Sequence, residues 1–160
     1  MRIITCAAVA FFLTLACLGP APALAKNDMA ISAGQLVDRI SQSRGKFVVI
    51  NFWASWCRPC QQEIPELITL RRDIPESDLV LLGISVDQNP GDFFRFIKQM
   101  PFNYPVFVGG ADVAGLFAVG SIPKMVVFNR DGEMIHTSEG YMSGDELREL
   151  LSLPGGGGGV

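Results

Sequence analysis

The sequence predicts an α/β domain in which a mixed central sheet of about four or five strands carries helices on both faces. Three observations carry that expectation. The stretch that starts at Phe47 begins as a strand, a nearly continuous apolar run rich in β-branched and aromatic residues, and Leu79 to Val86 is a second apolar run, of the kind buried in the middle of a parallel sheet. Stretches of helical composition flank and separate the two. Further on, Lys124 to Asn129 and Glu133 to Glu139 bracket the turn Asn129-Arg130-Asp131-Gly132, which sends the chain back antiparallel. With a short extended piece and a brief helix set aside, the order α, β, α, β, α, β, β, α gives a βαβ part followed by a ββα part, hence the mixed sheet.

Each element has a local reason. Ala30 to Ser43 reads as an amphipathic helix with Ser32 as N-cap and Leu36, Val37 and Ile40 on one face, and Arg44-Gly45-Lys46 ends it. After the strand from Phe47, a helix is expected from Cys57 to about Asp73, with Pro59 in the first turn, where a missing N–H is tolerated. Ile64, Leu67, Ile68 and Leu70 form its apolar face, and Pro65 removes one internal hydrogen bond and should kink it. Asn89 caps and Pro90 opens the next helix, which should run to about Met100 and stop at Pro101. Tyr104 to Val108 is a short extended piece, and a brief helix from Asp112 to about Ala118 follows Gly109-Gly110. Ser143 and Glu146 form a capping box for the last helix, Gly144 to Leu153. The glycine-rich tail, Pro154 to Val160, has nothing to bury and is expected to be disordered.

Composition bounds the function. At 160 residues, 49% hydrophobic and 18% charged, the chain suits one domain with a real core, spanning 26–153. The formal net charge is −3; residues 1–25 hold Arg2 and no acid, which leaves 12 basic against 16 acidic residues. That balance argues against nucleic acid, or an anionic membrane surface, as the main partner. Residues 1–25 read as a secretory signal peptide: a basic start, an apolar run from Ile3 to Leu18, the break Gly19-Pro20-Ala21-Pro22, and the cleavage site Ala23-Leu24-Ala25. The run is shorter than the ~20 residues a membrane span needs. An uncleaved anchor is the alternative, and acylation at Cys17 a weaker one because Thr14 stands where a large aliphatic residue is usual. Cleavage would leave Cys57 and Cys60 as the mature chain's cysteines, in an export compartment where dithiols are oxidised unless something reduces them. The expected location is therefore exported and periplasmic, with membrane attachment only if the leader is retained.

Cys57 and Cys60 lie at the strand-to-helix junction in F-W-A-S-W-C-R-P-C. Free N–H groups and the positive end of the helix dipole stabilise a thiolate at Cys57, which should have a depressed pKa and act as nucleophile, while Cys60 closes the ring. Arg58 adds a cation to that field. Half of a zinc site and a purely structural disulfide are the blander alternatives. His136 is the sole histidine, so four ligands cannot come from Cys and His alone; a solvated His136 is expected, and no metal or organic cofactor is needed. Copper delivery and peroxidase chemistry both conflict with the C-x-x-C spacing. Trp53 is expected in the core, Trp56 on an exposed apolar rim, and Phe93, Phe94 and Phe96 between helix and sheet. Glu63, three residues beyond Cys60 and six beyond Cys57, should return toward the face that carries the sulfurs. There a partly desolvated carboxyl would have a raised pKa and could take the proton that Cys60 must lose. A solvated first-turn acid is the alternative.

The segment F-W-A-S-W-C-R-P-C resembles the active site of thioredoxin-fold proteins, and the following Q-Q-E-I-P makes it similar to the exported TlpA, ResA and CcmG-type thiol-disulfide oxidoreductases. Ser121-Ile122-Pro123 followed by K-M-V-V-F-N-R-D-G is similar to the second signature of that family, a cis-proline loop leading into the last two strands. The resemblance covers roughly Phe47 to Leu153, whereas Lys26 to Lys46 looks like the opening helix of ordinary thioredoxins. It implies a thioredoxin fold, a redox-active Cys57–Cys60 disulfide, a cis peptide after Ile122 beside the dithiol, and a tuning role for Glu63 in C-x-x-C-x-x-E. Cys57, Cys60, Glu63 and Pro123 are the expected catalytic residues, with Trp56, Arg58, Pro59 and Ile122 contacting substrate. The implied activity is reduction of disulfides in partner proteins, with cytochrome c maturation as one setting and a membrane thiol donor as reductant. A general dithiol oxidant and a thioredoxin-fold binding module with a structural disulfide are the competing readings.

Overall fold

The computed structural model describes residues 29–152. The expected leader, 1–25, and the glycine-rich tail lie outside the described residues. Six strands form one sheet: β1 (Ala30–Ile31), β2 (Phe47–Trp53), β3 (Leu79–Ser85), β4 (Val106–Gly109), β5 (Lys124–Phe128) and β6 (Met134–Glu139). Their spatial order is β1-β4-β3-β2-β5-β6. β1, β4, β3 and β2 run parallel to one another, β5 is antiparallel to β2, and β6 is antiparallel to β5. The mixed sheet is therefore as expected, with one strand more.

β2 is central and buried along its whole length. Alternation divides it between two cores: Phe47, Val49 and Trp53 face one, and Val48, Ile50 and Phe52 the other. On the first face lie α2 (Arg58–Asp73), α3 (Pro90–Ile97) and α5 (Gly144–Ser152), represented by Ile64 and Leu67, Phe93, and Leu147. On the second lie α1 (Ala33–Gln42) and α4 (Ala111–Leu116), represented by Leu36 and Ile40, and Val113. Trp53 is fully buried and packs against Phe93, Phe96 and Phe102, which gives the phenylalanine cluster its structural role.

The sequence expectations fail mainly at element ends. Ala30 and Ile31 form β1 beside Val108 and Gly109 instead of opening the first helix. The reason is the capping box on Ser32, whose hydroxyl accepts from Gln35 N and whose N–H is bonded by the Gln35 side chain; the helix starts at Ala33 and frees the two residues before it. α3 ends at Ile97, ahead of the expected Met100, as Gln99 N and Met100 N both fold back onto Phe96 O in a turn. α2 runs through Pro65 to Asp73 without a break. Gly132, at φ +80°, closes the expected hairpin turn, where Gly132 N donates to Asn129 O.

Candidate functional site

The site forms where β2 ends and α2 begins. Val86 N donates to Trp53 O at 2.8 Å, the last sheet-like bond there, and the chain then turns through Ala54 to Cys57, closed by Cys57 N donating to Ala54 O at 3.1 Å. Cys57 is the N-cap of α2, in extended conformation, and its Sγ accepts from Cys60 N at 3.2 Å. Cys57 and Cys60 form a disulfide with S–S 2.04 Å and Cα–Cα 5.3 Å. Both are buried, Cys57 at 4% and Cys60 at 0% exposure, and both belong to the core cluster beneath α2. Arg58 and Pro59 are exposed in the first turn.

Glu63 is fully buried one turn below Cys60. Its Oε2 accepts from Asn51 Nδ2 of β2, and its Oε1 accepts from Met142 N at 2.9 Å. Burial pushes its carboxyl from 4.5 to about 7, against the lowering pull of these two hydrogen bonds. The alternative of a solvated first-turn acid is thereby excluded. Glu66, one turn nearer the middle of α2, accepts from Tyr141 Oη and Gly144 N, so the two acids together hold the β6–α5 connection against α2.

The loop before β5 carries the other expected residues, Ile122 and Pro123. The Ile122–Pro123 peptide is cis. Pro123 is buried, and Ile122 packs at the edge of the cluster that contains Cys57 and Cys60. The loop is fastened by Lys124 Nζ donating to Ala118 O at 2.9 Å, Ser121 Oγ donating to Glu139 Oε2 at 2.7 Å, and Gly140 N donating to Pro123 O at 2.8 Å. Trp56, 69% exposed, and Ile122 line a mainly apolar cavity of about 380 Å³ with Val86, Ala114 and Val119. All the residues expected at the site from sequence thus belong to the α2 start, its first two turns, or this loop.

Sequence reasoning missed Asn51, Ser55 and Asp87. Asn51 had a signal, a lone amide in the run F-V-V-I-N-F-W, where a buried polar group needs a partner. His136 differs from expectation: it is half-buried, with Nε2 enclosed and unpaired. Among the described residues no group of three or more His, Cys, Asp or Glu side chains is placed to hold a metal ion.

A family model described as AhpC/TSA matches residues 20–137. The chain belongs to the AhpC/TSA family. Within this AhpC/TSA chain the dithiol region also aligns with curated relatives: it is 28% identical over 109 residues to a thiol-disulfide oxidoreductase ResA from Bacillus cereus. The alignment covers 68% of this chain and 63% of that relative, so the chain spans just under two thirds of its length. Among solved structures, the exposed lipoprotein thioredoxin Etrx1 from Streptococcus pneumoniae is 27% identical with TM-score 0.62, covering 70% of this chain and 87% of that one. A thiol:disulfide interchange protein DsbE structure from Chlorobium tepidum matches at TM-score 0.64 and 24% identity, over 70% and 82%. The fold of this AhpC/TSA-family chain is thus thioredoxin-like, and its relatives support the resemblance to the TlpA, ResA and CcmG-type subgroup.

Proposed function

We propose that the chain is an exported thiol-disulfide oxidoreductase that reduces disulfides in partner proteins. The observation that carries this reading is the Cys57–Cys60 disulfide at the N-terminus of α2, with a buried carboxyl one turn below it. In the reduced protein the N-cap position favours the Cys57 thiolate, which attacks a partner disulfide; a Cys57–partner bond forms, and the second partner sulfur leaves as a thiolate. Cys60 then loses its proton to the ionised Glu63 carboxylate and attacks Cys57 Sγ. The intramolecular disulfide forms and the first partner sulfur departs, so that two electrons have passed to the partner.

Trp56 and Ile122, with the exposed Arg58 and Pro59, offer the surface on which an extended partner segment would lie. Pro123 stands behind Ile122 as part of the same loop. The leader-like residues 1–25 and the exposed lipoprotein among the neighbours support export, in a periplasmic setting. A membrane thiol donor would return the dithiol to its reduced form, and apocytochrome cysteines in cytochrome c maturation are one suitable substrate class. Among the described residues no helix is long and apolar enough to cross a membrane.

The test is trapping. A Cys60→Ser variant exposed to exported proteins is expected to accumulate mixed disulfides through Cys57, and the reduced parent to show Cys57 alkylated at least about tenfold faster than Cys60. Equal alkylation rates together with no trapped partner would leave the disulfide a structural one.

A further inference from the structure

We propose that Asp87 is a positioning residue for the Cys57 nucleophile, acting through Ser55. This rests on Cys57 being the attacking thiol. Asp87 lies two residues beyond the end of β3, is 5% exposed, and directs its carboxylate to the turn that presents Cys57. Ser55 N donates to both carboxylate oxygens, at 3.2 and 3.0 Å, and Ser55 Oγ donates to Oδ1 at 2.7 Å. Ser85 Oγ donates to Oδ2 at 2.7 Å and in return accepts from Asp87 N at 3.0 Å, which fixes the carboxylate from behind.

The position in the sheet explains the arrangement. β2 and β3 are paired up to Trp53 and Ser85, and one further bond, Val86 N to Trp53 O, follows before the strands part. Beyond that point no backbone carbonyl of β3 meets Ser55 N, and the Asp87 side chain takes over as acceptor. A buried carboxylate this well supplied with donors is a strong, directional anchor. The remaining polar group of Ser55 is held as well, since Ser55 O accepts from Gln61 Nε2 at 2.6 Å, which ties the turn to α2. Ser55 is therefore fixed on three sides, and the next two residues are Trp56 and Cys57.

The anchor matters most in the reduced protein. In the oxidised form the bond to Cys60 itself fastens Cys57 to α2. When that bond opens, Cys57 keeps its backbone bonds, Gln61 N donating to Cys57 O and Cys57 N donating to Ala54 O, both at 3.1 Å, and how closely its Sγ is held beside Cys60 then depends on how firmly the turn is anchored. The equilibrium constant for closing the ring measures the effective concentration of one thiol at the other, which falls as Cys57 samples a larger volume.

The test measures ring closure against glutathione disulfide, in which the protein dithiol gives up two electrons and two protons and two glutathione molecules form. For Asp87→Ala we expect the closure constant to fall about tenfold, equivalent to a potential about 30 mV less negative. Asp87→Asn should stay within about twofold of the parent, because one amide oxygen can still accept from Ser55 N and Oγ while the NH2 faces Ser85 Oγ. An alanine variant that overlays the parent, or an asparagine variant as impaired as the alanine one, overturns the proposal; the latter result would assign the effect to charge. If Asp87→Ala does not fold, Ser55→Ala carries the test, since it removes the Oγ bond and spares the N–H: a smaller shift in the same direction supports the anchor, and none overturns it. A parent that does not cycle reversibly between dithiol and disulfide fails at the functional reading; a cycling parent with unaffected variants fails only at Asp87.

Discussion

Asn51 of β2 donates a hydrogen bond to Glu63 of α2 from within a fully buried strand, so the central strand of the sheet and the helix that begins at the C-x-x-C pair are joined through a titratable group. Asn51 Oδ1 has no partner in that arrangement. The pair therefore holds an amide that could turn over if the group opposite it became a donor.

Glu63 should make stability depend on pH. Its carboxyl is raised from 4.5 to about 7 by burial, so between those values the folded chain keeps a proton that the unfolded chain has released. The stabilisation linked to that proton is present in full below pH 4.5 and is lost as pH rises through about 7, a change of about 3 kcal/mol. Glu63→Gln should flatten this dependence, with the Asn51 amide turned to accept from the new NH2. Denaturant unfolding at pH 5 and pH 8 checks it: equal pH slopes for parent and variant would remove Glu63 as the group responsible. The same variant should also slow resolution of the mixed disulfide, since Gln cannot take a proton from Cys60.

The reduction potential is expected below about −200 mV, on the reducing side of the known range. Arg58 and Pro59 stand between the cysteines, and neither supplies the histidine that stabilises the thiolate of strong oxidants. Equilibration with glutathione gives the value. A potential near the strongly oxidising end would favour the dithiol-oxidant reading.

Trp56→Ala should separate substrate contact from chemistry. The indole is largely exposed above the cavity shared with Ile122, so its removal should change stability by no more than about 0.5 kcal/mol. KM for a protein disulfide should rise about tenfold, as for an aromatic anchor at an interface, while the rate with a small disulfide stays the same. An unchanged KM would place partner binding elsewhere.

Gly83→Ala tests the packing beneath the site. A Cβ there would lie 2.9 Å from Val106 Cγ1, 3.1 Å from Trp53 Nε1 and 3.2 Å from Tyr104 Cε2, at the crossing of three strands and chain segments that cannot all retreat. A loss of about 1–3 kcal/mol is expected from overpacking, readable as a lower unfolding midpoint. A variant as stable as the parent would show that this corner of the core yields easily.

What the sequence by itself determined is local. The Ser32 and Ser143 caps, the Asn129 to Gly132 turn, the apolar runs of β2 and β3, and the C-x-x-C at a helix start all depend on residues a few positions apart, where hydrogen bonds and side-chain period are set by the backbone itself. The tertiary structure decided what had to be brought together across the chain. Met142 N reaches Glu63 over 79 positions, Asp87 reaches Ser55 over 32, and Ala30–Ile31 pairs with β4. The sequence suggested that Glu63 would lie on the face of the sulfurs but not that it would be fully enclosed, because its burial depends on Asn51 and the β6–α5 connection closing over it. Asp87 gave no signal at all: an acid after a buried strand is ordinarily solvated, and only the parting of β2 from β3 leaves Ser55 N in need of a side-chain acceptor.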